Sequence, residues 1–478
     1  MSRLRITDNH EAVEITREGD VRYWHDEIDD ITREELCRIA NVQIKNIKSD
    51  ERPNLLVFPR DLGYYGDDVG EGQIISFLND CISTGNIMGY VGINNTQVDI
   101  VSRFAKTDSE DYFLHYMLQR VFAINLFDIK HTTNHQQVFD FLLYLFPYFL
   151  KNALRQGIYK KYRRFEYNDT NVRGPIDVNR HIRENIPFCG TVAYSTREQT
   201  YDNEVTELIR HTIEYIKTHP MGNNVLACDQ ETKNAVMAMK QATPSYNTRD
   251  RNRILNLNLR PVTHPYYSEY TALQKICVQI LRNESIKYGQ DKDKIYGVLF
   301  DGAWLWEEYL NTIFSRAKLD ITHAKNKTGE NGIAIYFNGR KNYYPDFYKN
   351  TMNAETSFVL DAKYKCLSND VKDDGQDDEK TNTIAIGRED LFQMITYMHV
   401  MPARHCALLY PVERNRNNGD LVKTKDGEKV LNGYGGEIKG IGIPIVSKEN
   451  YSDFCNWQVE TENILTDELK NWIESPVR

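Results

Sequence analysis

Residues 343–365 read YYPDFYKNTMNAETSFVLDAKYK, two strand-like runs joined by a polar loop. The first run carries Pro345-Asp346, and the second carries Asp361-Ala362-Lys363 behind the apolar Phe358-Val359-Leu360. Side chains alternate along a strand, so Asp361 and Lys363 share one face, about 6–7 Å apart. If the first run pairs alongside, Asp346 points at the same spot. Two carboxylates and an ammonium at one sheet edge can hold Mg²⁺ and steer a water toward a phosphodiester. The same residues also suit a surface hairpin closed by a salt bridge. Acid-x-Lys triplets recur at Asp128-Ile129-Lys130, Glu231-Thr232-Lys233 and Asp378-Glu379-Lys380. None of these follows an apolar strand, so the flanks decide.

From about residue 295 onward the elements come in a definite order. A helix over 303–317 precedes three strand candidates, 332–337, 343–348 and 356–365. An acidic loop, 367–381, follows, too polar to bury a core of its own. Then come a helix over 387–401, an apolar strand over 405–410, a strand over 438–446 and a closing helix over 451–474. On the helix at 303–317, Ala303, Trp304, Trp306 and Leu310 claim the inward stripe. Glu307 and Glu308 differ by about 100° around the axis, so one of them can ride the stripe's edge toward the hairpin. Gln393 and Tyr397 are four apart and therefore neighbours on one helix face. An amide beside a phenol can hold a phosphate or a bound water, or can form an ordinary semi-polar face.

The rest of the chain divides by texture. At 478 residues it is long enough for two or three domains. Residues 1–105 read as mixed α/β, with short strands at 12–16, 54–58, 89–93 and 97–101, a helix at 32–48 and clustered glycines. GDDVGEGQ (66–73) and TGNIMGY (84–90) lack the Gly-Lys-Ser/Thr of a P-loop, so no nucleotide site follows for this chain. Residues 106–294 carry helical periodicity at 111–127, 136–156, 203–218, 232–242 and 269–288. Between these helices, Lys160, Lys161, Arg163, Arg164 and Arg173 stand among Tyr159, Tyr162 and Phe165. That stretch is either a basic surface for a phosphate backbone or an acidic partner, or a solvated helix face.

Lys+Arg 59 against Asp+Glu 68 gives a net charge of −9, so any contact with nucleic acid needs local concentrations of base. Eight cysteines without a C-x-x-C pair argue against a zinc ribbon and for reduced thiols. The start, MSRLRITDNHEAVEI, lacks the apolar core of a signal peptide. The most apolar run, VFDFLLYLFPYFL at 138–150, is too short for a bilayer and contains Asp140 and Pro147. The expectation is a soluble, cytoplasmic protein with no membrane partner.

These residues carry a resemblance. Asp346 with Asp361-Ala362-Lys363, in the order helix, three strands, helix, strand, resembles the PD-(D/E)xK nucleases. Leu305-Trp306-Glu307-Glu308-Tyr309-Leu310 is similar to the Leu-Phe-Glu-x-Tyr-Val helix of RecB-like members, with Glu307 the matching residue, and Gln393 with Tyr397 to their Gln-x-x-x-Tyr. Further matches are Gly89-Tyr90-Val91-Gly92-Ile93, Arg173-Gly174-Pro175-Ile176-Asp177, Asp202-Asn203 and Ala407-Leu408-Leu409-Tyr410-Pro411. With them, residues 85–411 resemble the McrC family, the nuclease subunits of McrBC-type restriction systems. The first 80 or so residues and the loop 367–381 match nothing in it.

The resemblance implies an α/β multidomain chain. It has a mixed α/β N-terminal domain (1–105) that engages a partner, a helical middle domain (106–294) and a C-terminal PD-(D/E)xK mixed sheet flanked by helices (295–478). It implies Mg²⁺-dependent cutting of double-stranded DNA in phage defence, with Mn²⁺ as an alternative ion. Asp346, Asp361, the Ala362 carbonyl and Glu307 would hold the metal, Lys363 would act on the water, and Gln393 and Tyr397 would stand beside it. The implied partner is an McrB-like AAA+ GTPase ring, which this chain stimulates; the lack of a P-loop here fits that division. Two other readings stay open: a stand-alone RecB-like repair or recombination nuclease, and a non-catalytic activator of the motor. The second fits less well, because Asp346, Asp361 and Lys363 are all present.

Overall fold

The structure is a computed structural model. It describes residues 2–11, 13–14, 22–23, 29–40, 42–43, 55–59, 73–94, 96–105, 111–122, 137–219, 222–287, 295–325, 329–337, 339, 341–351, 353–365, 386–413, 421–423, 429–432, 435–446 and 451–475. The chain divides into two compact units, 1–127 with 292–478, and 128–291. The loop 367–381 and the glycine-rich 66–72 lie outside the described residues.

In the first unit, one six-stranded sheet runs in the order Arg22–Tyr23, Ser2–Thr7, Thr96–Val101, Ile87–Ile93, Ile295–Asp301, Leu55–Phe58. Leu4, Ile6, Val91, Val98, Ile100 and Leu299 form its aliphatic core, with Leu36 and Ile39 from the helix Asp30–Ala40. Gly89 sits where the neighbouring strand comes closest. A Cβ there would stand 2.1 Å from the Val298 carbonyl oxygen, and its φ of +128° is one that side chains rarely adopt. Ile295–Asp301 lies antiparallel to Ile87–Ile93 and parallel to Leu55–Phe58. Residues that texture assigns to the head of the third domain therefore complete the N-terminal sheet. Local patterning cannot see a strand supplied from so far along the chain.

Asp301 ends that strand and caps the next helix, its carboxylate accepting from the Ala303 and Trp304 N–H groups at 2.9 and 3.4 Å. The helix, Gly302–Arg316, buries Leu305, Trp306, Tyr309, Leu310, Ile313 and Phe314. Ala303 is exposed and Trp304 half-buried, so the inward stripe is turned from the one expected. Trp306 Nε1–H donates to the Leu409 carbonyl at 3.2 Å and ties this helix to the second sheet. Gly302 permits a second close approach, because a Cβ would stand 2.8 Å from the Tyr364 ring. That ring is held under the Arg103 guanidinium at 4.6 Å and edge-on to Phe104. Gly302→Ala is expected to cost about 1–3 kcal/mol as an overpacking change. Urea unfolding measures it, and an unchanged midpoint would refute the tight contact.

The second sheet of this unit has seven strands. Thr322–His323, Phe347–Lys349, Phe358–Ala362, His405–Glu413, Glu437–Ile445 and Val422–Lys423 follow in that order, and Lys429–Val430 also pairs with Glu437–Ile445. Phe358–Ala362, His405–Glu413 and Glu437–Ile445 are parallel. The last two are buried almost end to end, as parallel strands covered on both faces should be. The helix Arg388–Val400 places Met394, Tyr397 and Met398 against Val359, Cys406 and Leu408.

Two strand expectations are corrected. Ile333–Ala334 pairs with Asn342–Tyr343 in a separate hairpin, and Thr322–His323 takes the sheet edge instead. The run 343–348 is interrupted at residues 344–346, where Pro345 has no N–H for a ladder.

The second unit is largely helical, as its periodicity indicates. Its long helices are Gln137–Arg155, Glu204–Thr218, Gln230–Ala242 and Ser268–Lys287. The departure is the basic stretch. Lys161–Asp169 and Val192–Thr200 form an antiparallel pair nine residues long, from Lys161↔Thr200 to Asp169↔Val192. A helix face is thus replaced by an exposed hairpin, consistent with the strand preference of Tyr162, Phe165 and Tyr167. Asp177 caps a short helix, Val178–Glu184, which buries none of its residues. Asn203 closes a capping box on Glu204–Thr218. Among the described residues, no helix is long and apolar enough to cross a membrane.

Candidate active site

The register of two strands builds the site. Phe347 pairs with Leu360, so Asp346 falls opposite Asp361 across the same antiparallel ladder. The Ala362 N–H donates to Asp346 Oδ2 at 2.7 Å, fixing that carboxylate against the neighbouring strand. Asp361 is 1 % exposed. Lys363 follows on the same face, and its ammonium lies 2.6 Å from Asp361 Oδ2.

Lys363 Nζ also donates to Gln393 Oε1 at 2.8 Å, and Gln393 Nε2 donates to the Tyr397 hydroxyl at 2.8 Å. The i,i+4 pair on the helix Arg388–Val400 therefore acts through the lysine, forming the chain Asp361–Lys363–Gln393–Tyr397. Glu307 comes from the helix Gly302–Arg316, with Oε1 at 2.7 Å from His323 Nε2. Glu308 turns away to Lys325 at 3.1 Å. Of the two neighbouring carboxylates, it is Glu307 whose charge reaches Asp346.

Electrostatics follow from this crowding. Burial, then the charges of Asp361 and Glu307, push the Asp346 carboxyl well above its usual range. Burial raises Asp361 too, against the pull of Lys363. For Lys363, burial opposes the charge, but Asp361 and then Asp346 outweigh it and hold the ammonium above its ordinary value.

Three carboxylates, Asp346, Asp361 and Glu307, face one ammonium, so the set carries excess negative charge. Among the described residues, no group of three or more His, Cys, Asp or Glu side chains is arranged to hold a metal ion. Mg²⁺, however, is commonly bound through one or two carboxylates while keeping several waters. Asp346, Asp361 and the Ala362 carbonyl supply hard oxygen donors of that kind, and a cation there would relieve the repulsion that lifts Asp346. The residues fit the ion.

Three neighbours were not legible beforehand. His323, paired opposite Phe347 and stacked on its ring at 4.9 Å, orients Glu307; burial lowers its pKa. Its strand is two residues long and leaves no periodic signal. Lys365 and Asp390 form an ion pair at 2.8 Å. A signal existed here: Lys365 is two residues beyond Lys363, and Asp390 is one helical turn before Gln393.

The five basic residues singled out for nucleic acid lie in the other unit, exposed but each with a local partner. Lys160 sits over the Tyr201 ring at 4.8 Å, and Lys161 pairs with Glu204. Arg163 donates to the Asp202 carbonyl at 3.3 Å, Arg164 lies 3.7 Å from Asp177, and Arg173 lies 3.8 Å from Asp169.

Comparison with known proteins adds the following. The family described as McrBC 5-methylcytosine restriction system component matches residues 82–411. No curated protein sequence matches the chain. A chain in a Thermococcus gammatolerans assembly of McrB AAA+ hexamers with bound McrC is similar in fold. It is 13 % identical, with a TM-score of 0.52, covering 98 % of this chain and 100 % of that one. The McrBC complex of the same organism also aligns, over 67 % of this chain and 89 % of that one, at 13 % identity and a TM-score of 0.34, too low to bear on the fold.

Proposed function

The chain belongs to the McrBC restriction-system component family, and we propose that it is the DNA-cutting, McrC-type subunit of such a system. The observation that carries this reading is the convergence of Asp346, Asp361, Lys363, Gln393 and Tyr397 in one bonded cluster at a sheet edge. On this reading the C-terminal sheet is a PD-(D/E)xK nuclease core acting on double-stranded DNA. Asp346, Asp361 and the Ala362 carbonyl would hold Mg²⁺ or Mn²⁺, with Glu307 joining directly or through water. The bound ion supplies Lewis acidity toward the phosphodiester and a water. Lys363, kept as an ammonium, orients the attacking water and offsets transition-state charge. Gln393 fixes the ammonium, and the Tyr397 hydroxyl fixes Gln393.

The relative of similar fold is described with McrB AAA+ hexamers. We propose a similar GTPase ring as partner here, which this chain stimulates. Val172, Ile176, Val178, Ile182, Ile186 and Phe188 are all exposed within a short span of the second unit, an apolar surface of the kind that protein partners cover. Among the described residues of the N-terminal region, which the resemblance implies as the partner-engaging domain, Ile31 and Leu78 are exposed large hydrophobics.

Plasmid incubated with the chain, Mg²⁺, the ring partner and GTP should be cut. EDTA should stop the reaction, and omission of the partner should reduce it to near background. Full-rate cutting with Mg²⁺ alone would select the stand-alone nuclease. Stimulated GTP hydrolysis without cutting would select the non-catalytic activator.

A further inference from the structure

One exposed feature beside the site takes no part in this chemistry. The strands Ile333–Ala334 and Asn342–Tyr343 pair antiparallel, and Ile335 N–H extends the hairpin by donating to the Lys341 carbonyl at 2.9 Å. Gly339 N–H donates to the Tyr336 carbonyl at 2.9 Å and closes the turn. The turn presents Phe337 with its whole surface in solvent and Tyr336 more than half exposed. The base, by contrast, is anchored. Ile333 and Tyr343 pack on the core beneath the helix Arg388–Val400, and the Tyr343 ring meets the Tyr397 ring edge-on at 5.8 Å. From Tyr343 the chain passes through Tyr344 and Pro345 directly to Asp346.

We propose that this tip is a nucleic-acid contact. Tyr336 and Phe337 engage the bases of the DNA a few steps from the phosphate being cut. The proposal rests on the nuclease reading and names how that site grips its substrate. Charge supports it: residues 331–344 include Arg340 and Lys341 and no acid, which suits a polyanion. Chemistry supports it as well, since exposed aromatics flanked by cations stack on bases, and apolar side chains wedge between base steps. The tip is also near in the chain: Phe337 lies four residues beyond Ile333, whose ladder partner Tyr343 is three residues from Asp346.

Phe337→Ala in the full chain, assayed with its ring partner, Mg²⁺ and GTP, should weaken DNA binding and cutting by about 5- to 150-fold, the range of losing one stacked base. Phe337→Trp should restore most of it. GTP hydrolysis by the partner should be unchanged. A photoreactive benzoylphenylalanine at position 337 should crosslink to labelled duplex DNA. Unaltered cutting by Phe337→Ala, or crosslinking to the ring protein instead of DNA, would overturn the proposal. If the parent chain cuts no DNA under any condition, the nuclease reading itself falls. The crosslink then still decides what the tip touches.

Discussion

Asp361→Asn should reduce DNA cutting by about 10²–10³-fold, the scale of removing one charge that acts on the transition state. The substitution keeps the shape of the side chain and leaves an amide oxygen for the Lys363 ammonium. What it removes is the negative charge opposite Asp346. The protein should not be destabilised. Burial outweighs the pull of Lys363 on the Asp361 carboxyl, and the Asp361 charge also lifts Asp346, so neutralising it relieves more cost than the lost Lys363 pairing adds. The two readouts must therefore move apart, with cutting lost while the unfolding midpoint is held or raised. Partner binding and GTP hydrolysis should survive. Cutting at the parental rate, with Mg²⁺, partner and GTP present, would remove Asp361 from the chemistry. Loss of cutting together with a collapsed midpoint would make its role structural.

How much of this could be seen in the sequence depends on distance along the chain. Asp361 and Lys363 are two residues apart on an apolar strand, and alternation alone puts them together. Gln393 and Tyr397 are neighbours by helical geometry. Their use was not visible: that Gln393 accepts from Lys363 depends on how a helix crosses a sheet thirty residues away in the chain. Asp346 needed a register, and Phe347↔Leu360 supplied it.

The non-local parts were opaque. Ile295–Asp301 joins a sheet whose other strands all precede residue 102, and His323 sits on a strand too short to carry a period. The basic stretch misled because Lys and Arg suit helix faces, whereas pairing with Val192–Thr200 decides its conformation. Several motifs of the resemblance also have plain structural work. Gly89 allows a close strand approach, and Asp177 and Asn203 cap helices. Their presence argues for a shared fold, and only the cluster around Lys363 argues for shared chemistry.

Glu462→Ala should be the most damaging change away from the site. Glu462 is 1 % exposed and has four donors. Tyr116 and Tyr309 hydroxyls donate to Oε1 at 2.8 and 3.0 Å, and Arg120 and Arg316 to Oε2 at 2.7 and 2.9 Å. These donors join the helices Tyr112–Phe122, Gly302–Arg316 and Tyr451–Glu474. Truncation leaves two guanidinium groups and two buried hydroxyls without their acceptor. Breaking a buried pair typically costs about 3–5 kcal/mol. Arg316 is nearly half exposed and can rehydrate, which argues for the lower end, about 3 kcal/mol. Glu462→Gln should lie between, since its amide retains one acceptor oxygen but no charge. Urea unfolding with matched slopes measures the series, and a loss under about 0.5 kcal/mol for Glu462→Ala would refute the network's role. The consequence extends to the site. Tyr309 is two residues from Glu307 on the same helix, so loosening its anchor should also lower cutting at temperatures where the variant is still folded. Asp361→Asn should show the reverse pattern, chemistry lost with stability kept.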